Sequence, residues 1–289
     1  MDRTKSLNDR PRSSSNHSAK TPQVQREKDR CNRNAETSSP RSTLSEVRSS
    51  SRRLGISIVI PFYNEEESAR VVIEEILSLY PHEEIIAVDD GSTDQTRNII
   101  SQFEGVRTVY FEKNQGQSAS ILAGLSRATK SLCVLLDGDG QNDPADIQNL
   151  VRHFHQTQAD VVCGYRASRQ DNWSRRASSK IANKVRRMIV RDGVRDTGCS
   201  LKVFRREAIG CLVPFNGMHR FLPAFFRASG FRIEEVRVNH RPRSLGTSKY
   251  TNWERGLRGI YDLIGVRWYL RRHVRPELSN EIHHERNPF

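Results

Sequence analysis

The chain has 289 residues, which is enough for one large domain or two small ones. Its net charge of +13 favours a polyanionic partner, such as nucleic acid, acidic lipid headgroups or a phosphorylated substrate. The five cysteines, an odd number without C-x-x-C spacing, argue against a disulfide framework or a zinc site and are typical of a reducing, cytoplasmic location. The sequence has no run of 18 apolar residues, so we expect no transmembrane segment.

Composition divides the chain into three parts. Residues 1–53 are rich in Ser, Arg, Asn and Pro and carry 13 basic and 6 acidic residues, so we expect a disordered basic tail. This tail lacks the apolar segment of a secretory signal. Residues 54–250 have the pattern of an α/β domain, and residues 251–289 that of an amphipathic helix followed by a tail.

Apolar periodicity predicts alternating strands and helices along the central part. In chain order we expect a strand at 56–60, ending before Pro61, a helix at 68–80, a strand at 85–88, a helix at 93–103, a strand at 106–111, a helix at 117–128, a strand at 132–136, a helix opening at Asp143-Pro144, a strand at 161–164, a basic helix at 177–190, a strand at 200–204, two short helices, a strand at 231–236 and a last helix at 252–272. This alternation predicts a mostly parallel central sheet with helices on both faces.

The most informative motif follows the strand at 132–136, where the chain runs into Asp137-Gly138-Asp139. Ligands bind at the carboxyl ends of strands in open α/β sheets, and two neighbouring carboxylates suit Mg²⁺ or Mn²⁺. A calcium loop is one alternative, but it lacks glycine at its sixth position, and Gln148 stands where the closing glutamate should be. A plain solvated turn is the other alternative.

Two further strand ends carry polar residues, and they favour the metal site over the plain turn. The first strand runs into residues 61–65, the second into 89–92, and a polar loop at 114–118 follows the third strand. Because the carboxyl ends of parallel strands meet at one edge, we expect these segments to form one pocket.

This set of segments resembles glycosyltransferase family 2, the inverting sugar-nucleotide transferases with the GT-A fold. The resemblance covers residues 55 to about 270 and depends on segments 59–65, 88–94, 114–116 and 137–139. It implies a nucleotide-diphosphate sugar as donor and a divalent metal, Mg²⁺ or Mn²⁺, held by Asp137, Asp139 and Gln141. The nucleotide-sugar residues that it implies are Pro61 and Tyr63 on the base, Glu65 near the ribose, Asp90 on the base, and Gln115, Gly116, Asp137 and Gly138.

Later segments resemble the polyprenyl-phosphate sugar transferases of the dolichol-phosphate mannose synthase type, namely 139–144, 196–198 and 241–250. The resemblance implies transfer of a hexose unit to a polyprenyl phosphate, such as an undecaprenyl or dolichyl phosphate, in cell-envelope biosynthesis. Gly138 and Gly140 depart from it, since Ala and Leu are commoner there, and we expect this to loosen the metal loop.

The expected chemistry assigns roles to cations and acids. A lipid phosphate is largely ionised at neutral pH, so it needs cationic screening more than a base. Asp196 would then orient the site or act as an auxiliary base. The expected catalytic residues are Asp139, Asp196, Arg241 and Lys249. The expected acceptor-phosphate residues are Arg175, Arg176, Arg241, Arg243, Ser248 and Lys249.

The last helix interleaves apolar and basic residues, which is typical of a helix lying in an anionic membrane interface. Its apolar members are Leu257, Ile260, Tyr261, Ile264, Trp268 and Leu270, and its basic members are Arg255, Arg258, Arg267, Arg271 and Arg272. We therefore expect peripheral attachment to the cytoplasmic face, with a separate integral membrane protein or a second copy as further partners. The alternative is that Trp253, Tyr261, Ile264 and Trp268 pack in the core.

Three rival functions stay open. Transfer to a polysaccharide or another hydroxyl would need a strong base, so loss of Asp196 would abolish turnover. A nucleic-acid-binding protein is favoured by the basic tail, but no recognition module is visible and the acidic strand ends would repel phosphates, so no nucleic acid is expected. A dinucleotide oxidoreductase would need G-x-G-x-x-G after the first strand, and residues 61–65 do not have this motif. The sugar, the base and the lipid length are left undetermined.

Overall fold

The computed structural model describes residues 55–166, 186, 188–190, 192–242 and 252–274, with side chains in the last range from residue 259 onward. The strands are β1 (Ile56–Phe62), β2 (Glu84–Asp89), β3 (Val106–Tyr110), β4 (Leu132–Leu135), β5 (Val161–Arg166), β6 (Lys202–Arg205) and β7 (Ile233–Val238). The α-helices are α1 (Glu66–Leu79), α2 (Thr96–Ile100), α3 (Gln117–Leu125), α4 (Asp146–Thr157), α5 (Leu222–Ala228) and α6 (Asn252–Arg272). Two 3₁₀ helices, Arg206–Cys211 and Met218–Arg220, precede α5.

The seven strands form one sheet in the order β3-β2-β1-β4-β6-β5-β7. Neighbours pair in parallel except at β6, which alone among the described strands runs antiparallel to β4 and β5. The chain builds outward from β1 to β3 and then returns to place β4 on the other side of β1. This reversal creates a crevice at the carboxyl ends of β1 and β4, where open α/β sheets bind their ligands.

Alternate side chains of the strands enter two apolar cores, one on each face of the sheet. Ile58 and Ile60 face the core that α1 and α4 cover, while Val59 faces the core that α3, α5 and α6 cover. Because both faces are buried, the central strands are continuously apolar, as the sequence indicates. The predicted α/β fold, with a mostly parallel sheet and helices on both faces, is confirmed.

Several predicted boundaries move, for local reasons. β1 continues through Pro61, since its pairing with β4 ends at Val59 and the missing amide breaks no bond on that side. Helix α4 starts at Asp146 because Asp143 forms a turn first, with its Oδ1 accepting from the amide of Ala145 at 3.0 Å. The last helix has the predicted bounds.

Three further features concern the cysteines, membrane-spanning helices and the ends of the chain. Cys133, Cys163 and Cys199 are buried free thiols, as small core residues are expected to be, and burial raises the pKa of Cys133 and Cys163 to about 12. Within the described part of the chain, no helix is long and apolar enough to span a bilayer. The predicted tail at 1–53, residues 177–185 of the predicted basic helix and the end at 275–289 lie outside the described residues.

Candidate active site

The carboxyl ends of β1, β2 and β4 lie side by side, as the sequence predicts. The β1–β2 register pairs Phe62 with Asp89, and the β1–β4 register pairs Val59 with Leu135. The segments that leave these strands therefore start at neighbouring points of one edge. Pro61, near the carboxyl end of β1, and Asp137, after β4, line the same cavity.

Asp90 organises the loop that follows β3. Its carboxylate accepts from the backbone amides of Gln115 at 2.8 Å and Gly116 at 2.9 Å, and from the side-chain amide of Asn114 at 3.0 Å. Burial raises the pKa of Asp90 above its ordinary value, against the lowering effect of these hydrogen bonds. The bonds use most of the acceptor capacity of a carboxylate. Asp90 therefore holds the predicted nucleotide loop in shape.

The segment after β1 is fixed by hydrogen bonds to the segment after β2. The amide of Glu65 donates to Thr96 Oγ1 at 2.8 Å, and Ser68 Oγ lies 3.2 Å from Glu65 Oε2. Tyr63 is partly buried at the same edge. The predicted base and ribose residues thus lie on one ordered segment, beside the loop that Asp90 holds.

Asp137 and Asp139 occupy a tight loop after β4. Asp137 Oδ1 accepts from Gln117 Nε2 at 2.8 Å, and Asp139 Oδ1 accepts from the amide of Gln141 at 3.1 Å. Between them, Gly138 is buried, and its carbonyl accepts from Ser68 Oγ at 2.9 Å. Burial, and after it the charge of Asp139, raises the pKa of Asp137 to about 6.

The residues of this loop fit a divalent cation that is shared with a substrate. Two carboxylates close enough to raise one pKa lose their mutual repulsion when a cation binds between them. The described residues contain no group of three or more His, Cys, Asp or Glu that could hold a metal alone. Mg²⁺ is usually held by one or two carboxylates with water and substrate phosphates, which matches this set. For Gln141 the structure shows backbone contacts, its carbonyl accepting from the amide of Arg241 at 2.9 Å.

Arg241 lies in an ion-pair cluster. Its guanidinium donates to both carboxylate oxygens of Glu75 at 2.7 Å and to Asp143 Oδ1 at 2.9 Å. Hydrogen bonding to Glu75 is the main reason that the pKa of Arg241 is raised. These bonds join the segment that begins at Arg241 to helix α1 and to the segment after the metal loop, contacts that sequence spacing did not predict.

Asp196 is held by an arginine of β5. Arg166 donates from Nε at 2.7 Å and from a terminal nitrogen at 3.0 Å, and the amide of Gly198 donates at 3.1 Å. Both side chains are largely buried, at 11% and 13% exposure. The bonds and charge of Asp196 raise the pKa of Arg166 although burial lowers it. These bonds fix the position of the Asp196 carboxylate, and its auxiliary role stays a prediction.

The remaining predicted phosphate residues lie outside the described residues. They are Arg175, Arg176, Arg243, Ser248 and Lys249. The side chains of Trp253, Arg255, Leu257 and Arg258 lie outside them too.

The structure adds residues that sequence reasoning missed. A cavity of about 250 Å³ beside Asp137 is lined by both apolar and polar residues, and the polar ones include Gln117, Ser200, Lys202, His219 and Arg220. Lys202 had a visible signal, because a lysine inside the apolar run of β6 breaks its pattern. His219 and Arg220, in a short 3₁₀ helix, had none.

Fold and site together are those of a GT-A glycosyltransferase, and comparison with known proteins gives the family. The model of glycosyl transferase family 2 matches residues 57–213. Over 235 residues the chain is 37% identical to a dodecaprenyl-phosphate galacturonate synthase of Rhizobium johnstonii, covering 77% of this chain and 69% of that protein. The chain therefore belongs to glycosyltransferase family 2, as the resemblance predicts, and it is an enzyme of that class.

Solved structures agree on the fold. A glucosyl-3-phosphoglycerate synthase of Mycobacterium tuberculosis, in complex with Mn²⁺, UDP and glucosyl-3-phosphoglycerate, superposes with a TM-score of 0.60 at 18% identity, over 81% of this chain and 86% of that one. The same enzyme with Mg²⁺ and UDP gives a TM-score of 0.59 at 19% identity, over 80% and 84% of the two chains. At these identities the likeness shows the fold alone.

Proposed function

We propose that this enzyme transfers a sugar from a nucleotide-diphosphate donor to a polyprenyl phosphate at the cytoplasmic face of a membrane, with a divalent cation. The relative from Rhizobium johnstonii is named for a dodecaprenyl-phosphate product, which supports the acceptor class. The galacturonate in that name makes a uronic acid the first donor sugar to test.

The observation that carries the choice of acceptor is the pairing of Asp196 with Arg166. A hydroxyl acceptor must lose its proton during attack, which needs a free base close to the reacting oxygen. A phosphate monoester, with a second pKa of about 6, is already largely ionised at neutral pH. A site in which Asp196 is paired with Arg166 suits the phosphate.

The loop after β4 supports binding of a nucleotide-diphosphate donor. A divalent cation bound to Asp137 and Asp139 would neutralise the charge that builds up on the departing diphosphate. Gln117 fixes the orientation of Asp137, and Ser68 fixes the backbone of Gly138. Asp90 shapes the loop at 114–116, where the resemblance places part of the nucleotide sugar. These residues preorganise the site, so that little rearrangement is needed during the reaction.

The outer face of α6 supports attachment to a membrane. Ile260, Ile264 and Trp268 are exposed by 60%, 62% and 65%, and Tyr261 by 81%. Spacing of four residues places the first three on one side of the helix, within an arc of about 100°. Leu263 and Val266, on the other side, are buried. The alternative of core packing therefore does not hold for Tyr261, Ile264 and Trp268.

Basic residues border the exposed apolar side of α6. Arg271 and Arg272 are exposed, whereas Arg267 is tied to the protein by a bond to the carbonyl of Ile189 at 2.8 Å. An apolar stripe with aromatic residues and flanking arginines matches the interface of an anionic bilayer. Contact with an integral membrane protein or a second copy would use the same side.

The acceptor is tested with purified protein, labelled UDP- and GDP-sugars and two lipids of equal length, polyprenyl phosphate and the free polyprenol. We expect label in the organic phase with polyprenyl phosphate alone. Label on the free polyprenol, or on a soluble sugar, would instead support a hydroxyl acceptor. In that alternative His219, which lines the cavity beside Ser118, is the candidate base.

Membrane attachment is tested by flotation with liposomes that contain phosphatidylglycerol. The double variant Ile264→Glu, Trp268→Glu should bind at least about tenfold more weakly, because each buried apolar side chain contributes about 1.5–3 kcal/mol. Val71→Glu is the matched control, since Val71 is 61% exposed on α1. Unchanged flotation of the double variant would reject attachment through α6, as would a change in oligomeric state without a change in flotation.

A further inference from the structure

The cavity beside Asp137 has the size and lining of a subsite for one small polar group. Its volume of about 250 Å³ is below the range of pockets that hold drug-sized ligands. Its lining includes the apolar residues Leu135, Leu136 and Leu222 and the cations Lys202 and Arg220. Apolar and charged groups together can contact the face of a sugar ring and bind a polar substituent.

Lys202 brings a buried positive charge to this cavity. The residue is 1% exposed, and its ammonium group donates to the carbonyl of Cys199, the acceptor that the described residues give it. An ammonium group has three donors, and a buried charge is costly unless it is paired. The one acid among the lining residues is Asp137, whose pKa burial raises and the charge of Lys202 lowers, and whose Oδ1 accepts from Gln117.

Arg220 brings a second cation with an unused donor. A terminal nitrogen donates to Asp262 Oδ2 of α6 at 2.8 Å, which fixes the guanidinium. The Nε of Arg220 is buried, and within the described residues it has no hydrogen-bond partner. Buried donors are almost always bonded, so an unpartnered one beside a cavity indicates an acceptor that arrives with a ligand.

We propose that the donor sugar is a hexuronic acid and that Lys202 and Arg220 bind its carboxylate in this cavity. The inference rests on the proposed function, because it assigns the sugar end of the same donor. A carboxylate would accept from the ammonium of Lys202 and from Nε of Arg220. A neutral hexose would bring no anionic acceptor to either group. Sites built to bind one polar group reject analogues that lack it.

The test uses UDP-galacturonate and UDP-galactose, which differ only in the group at C6. For the wild-type protein we expect kcat/KM with polyprenyl phosphate to be at least about 100-fold higher for the uronate. Isothermal titration of each donor without acceptor should show the same preference. Lys202→Met should reduce it by about 10- to 100-fold, while Lys202→Arg, which keeps the cation, should retain most of it. Arg232→Gln, exposed at the start of β7, is the control.

Three results would overturn the inference. One is equal affinity of the wild-type protein for the two donors. A second is an equal loss with both donors in Lys202→Met, combined with a raised KM for the lipid, which would assign the cation to the acceptor phosphate. The third is transfer of neutral sugars alone. If Lys202→Met does not fold, Arg220→Gln gives the same comparison. Transfer of neutral sugars alone would leave the proposed function intact and reject the uronate, whereas absence of transfer with every donor would reject the proposed function.

Discussion

Replacing Gly138 by alanine should damage the metal loop through a single side chain. A Cβ at Gly138 would lie 2.3 Å from Cδ1 and 2.5 Å from Cε1 of Phe62, far inside contact distance. Phe62 is 1% exposed and packed in the core that α1 covers, so its ring has little room to move. Alanine at 138 must therefore displace the ring or the loop.

The size of the effect follows from the overlap. Overpacking of a core by one methyl group costs about 1–3 kcal/mol, and each kcal/mol lowers the melting temperature of a domain of this size by roughly 2–4 °C. Because Gly138 lies between Asp137 and Asp139, a shift of the loop by about 1 Å should also lower kcat, by up to about 100-fold. Gly210→Ala is the control, since a Cβ there meets nothing within 4 Å.

A double-mutant cycle identifies Phe62 as the cause. Phe62→Ala removes the ring atoms that clash and is destabilising by itself, because it leaves a cavity. Combined with Gly138→Ala, it should be more stable than the sum of the two single effects by about 0.5–3 kcal/mol, measured by urea unfolding. Additive effects, or a Gly138→Ala protein with wild-type stability and turnover, would refute the reasoning.

Two further predictions concern charge. The pKa of Asp137 is about 6 in the folded protein and near about 4 in an unfolded chain, so the metal-free folded state binds more protons between these values. The free energy of unfolding should therefore fall as pH rises from 4 to above 6. Measured by urea unfolding at several pH values, this free energy should depend less steeply on pH in Asp137→Asn than in the wild-type protein. An equal pH dependence of the two proteins would contradict the raised pKa. Glu75→Gln should weaken the ion-pair cluster of Arg241 by about 1 kcal/mol, since Arg241 is 39% exposed. It should raise KM for the lipid more than KM for the donor, and an equal effect on the two would argue against a positioning role for Arg241.

The sequence was most informative where chemistry and chain order coincide. Strand ends carry their polar residues directly after apolar runs, so the edge formed by Pro61, Asp90 and Asp137 could be predicted from local patterns alone. The same holds for the last helix, whose bounds match. The direction of a strand was harder to predict, because an apolar run does not encode whether β6 runs parallel or antiparallel to β4.

Contacts between distant segments account for most of what was missed. Arg241 meets Glu75 across 166 residues, and Asp196 meets Arg166 across 30, so spacing could not show that either charge has a partner. Gly138 looked like a loosening substitution, yet the ring of Phe62, 76 positions earlier in the chain, leaves no room for a side chain there. Such pairings become visible only when the packing of the sheet is known.

The central claim is that the acids after β4, through a bound divalent cation, stabilise the charge of the departing nucleotide diphosphate during transfer to a lipid phosphate. Its most direct test is the rate at which label from a nucleotide sugar enters the organic phase with polyprenyl phosphate, compared between wild-type protein and Asp139→Asn. We expect transfer by the wild-type protein and a loss of at least about 1000-fold in the variant, since charge stabilisation of this kind contributes several kcal/mol. Transfer at the wild-type rate by Asp139→Asn, with unchanged folding, would contradict the account.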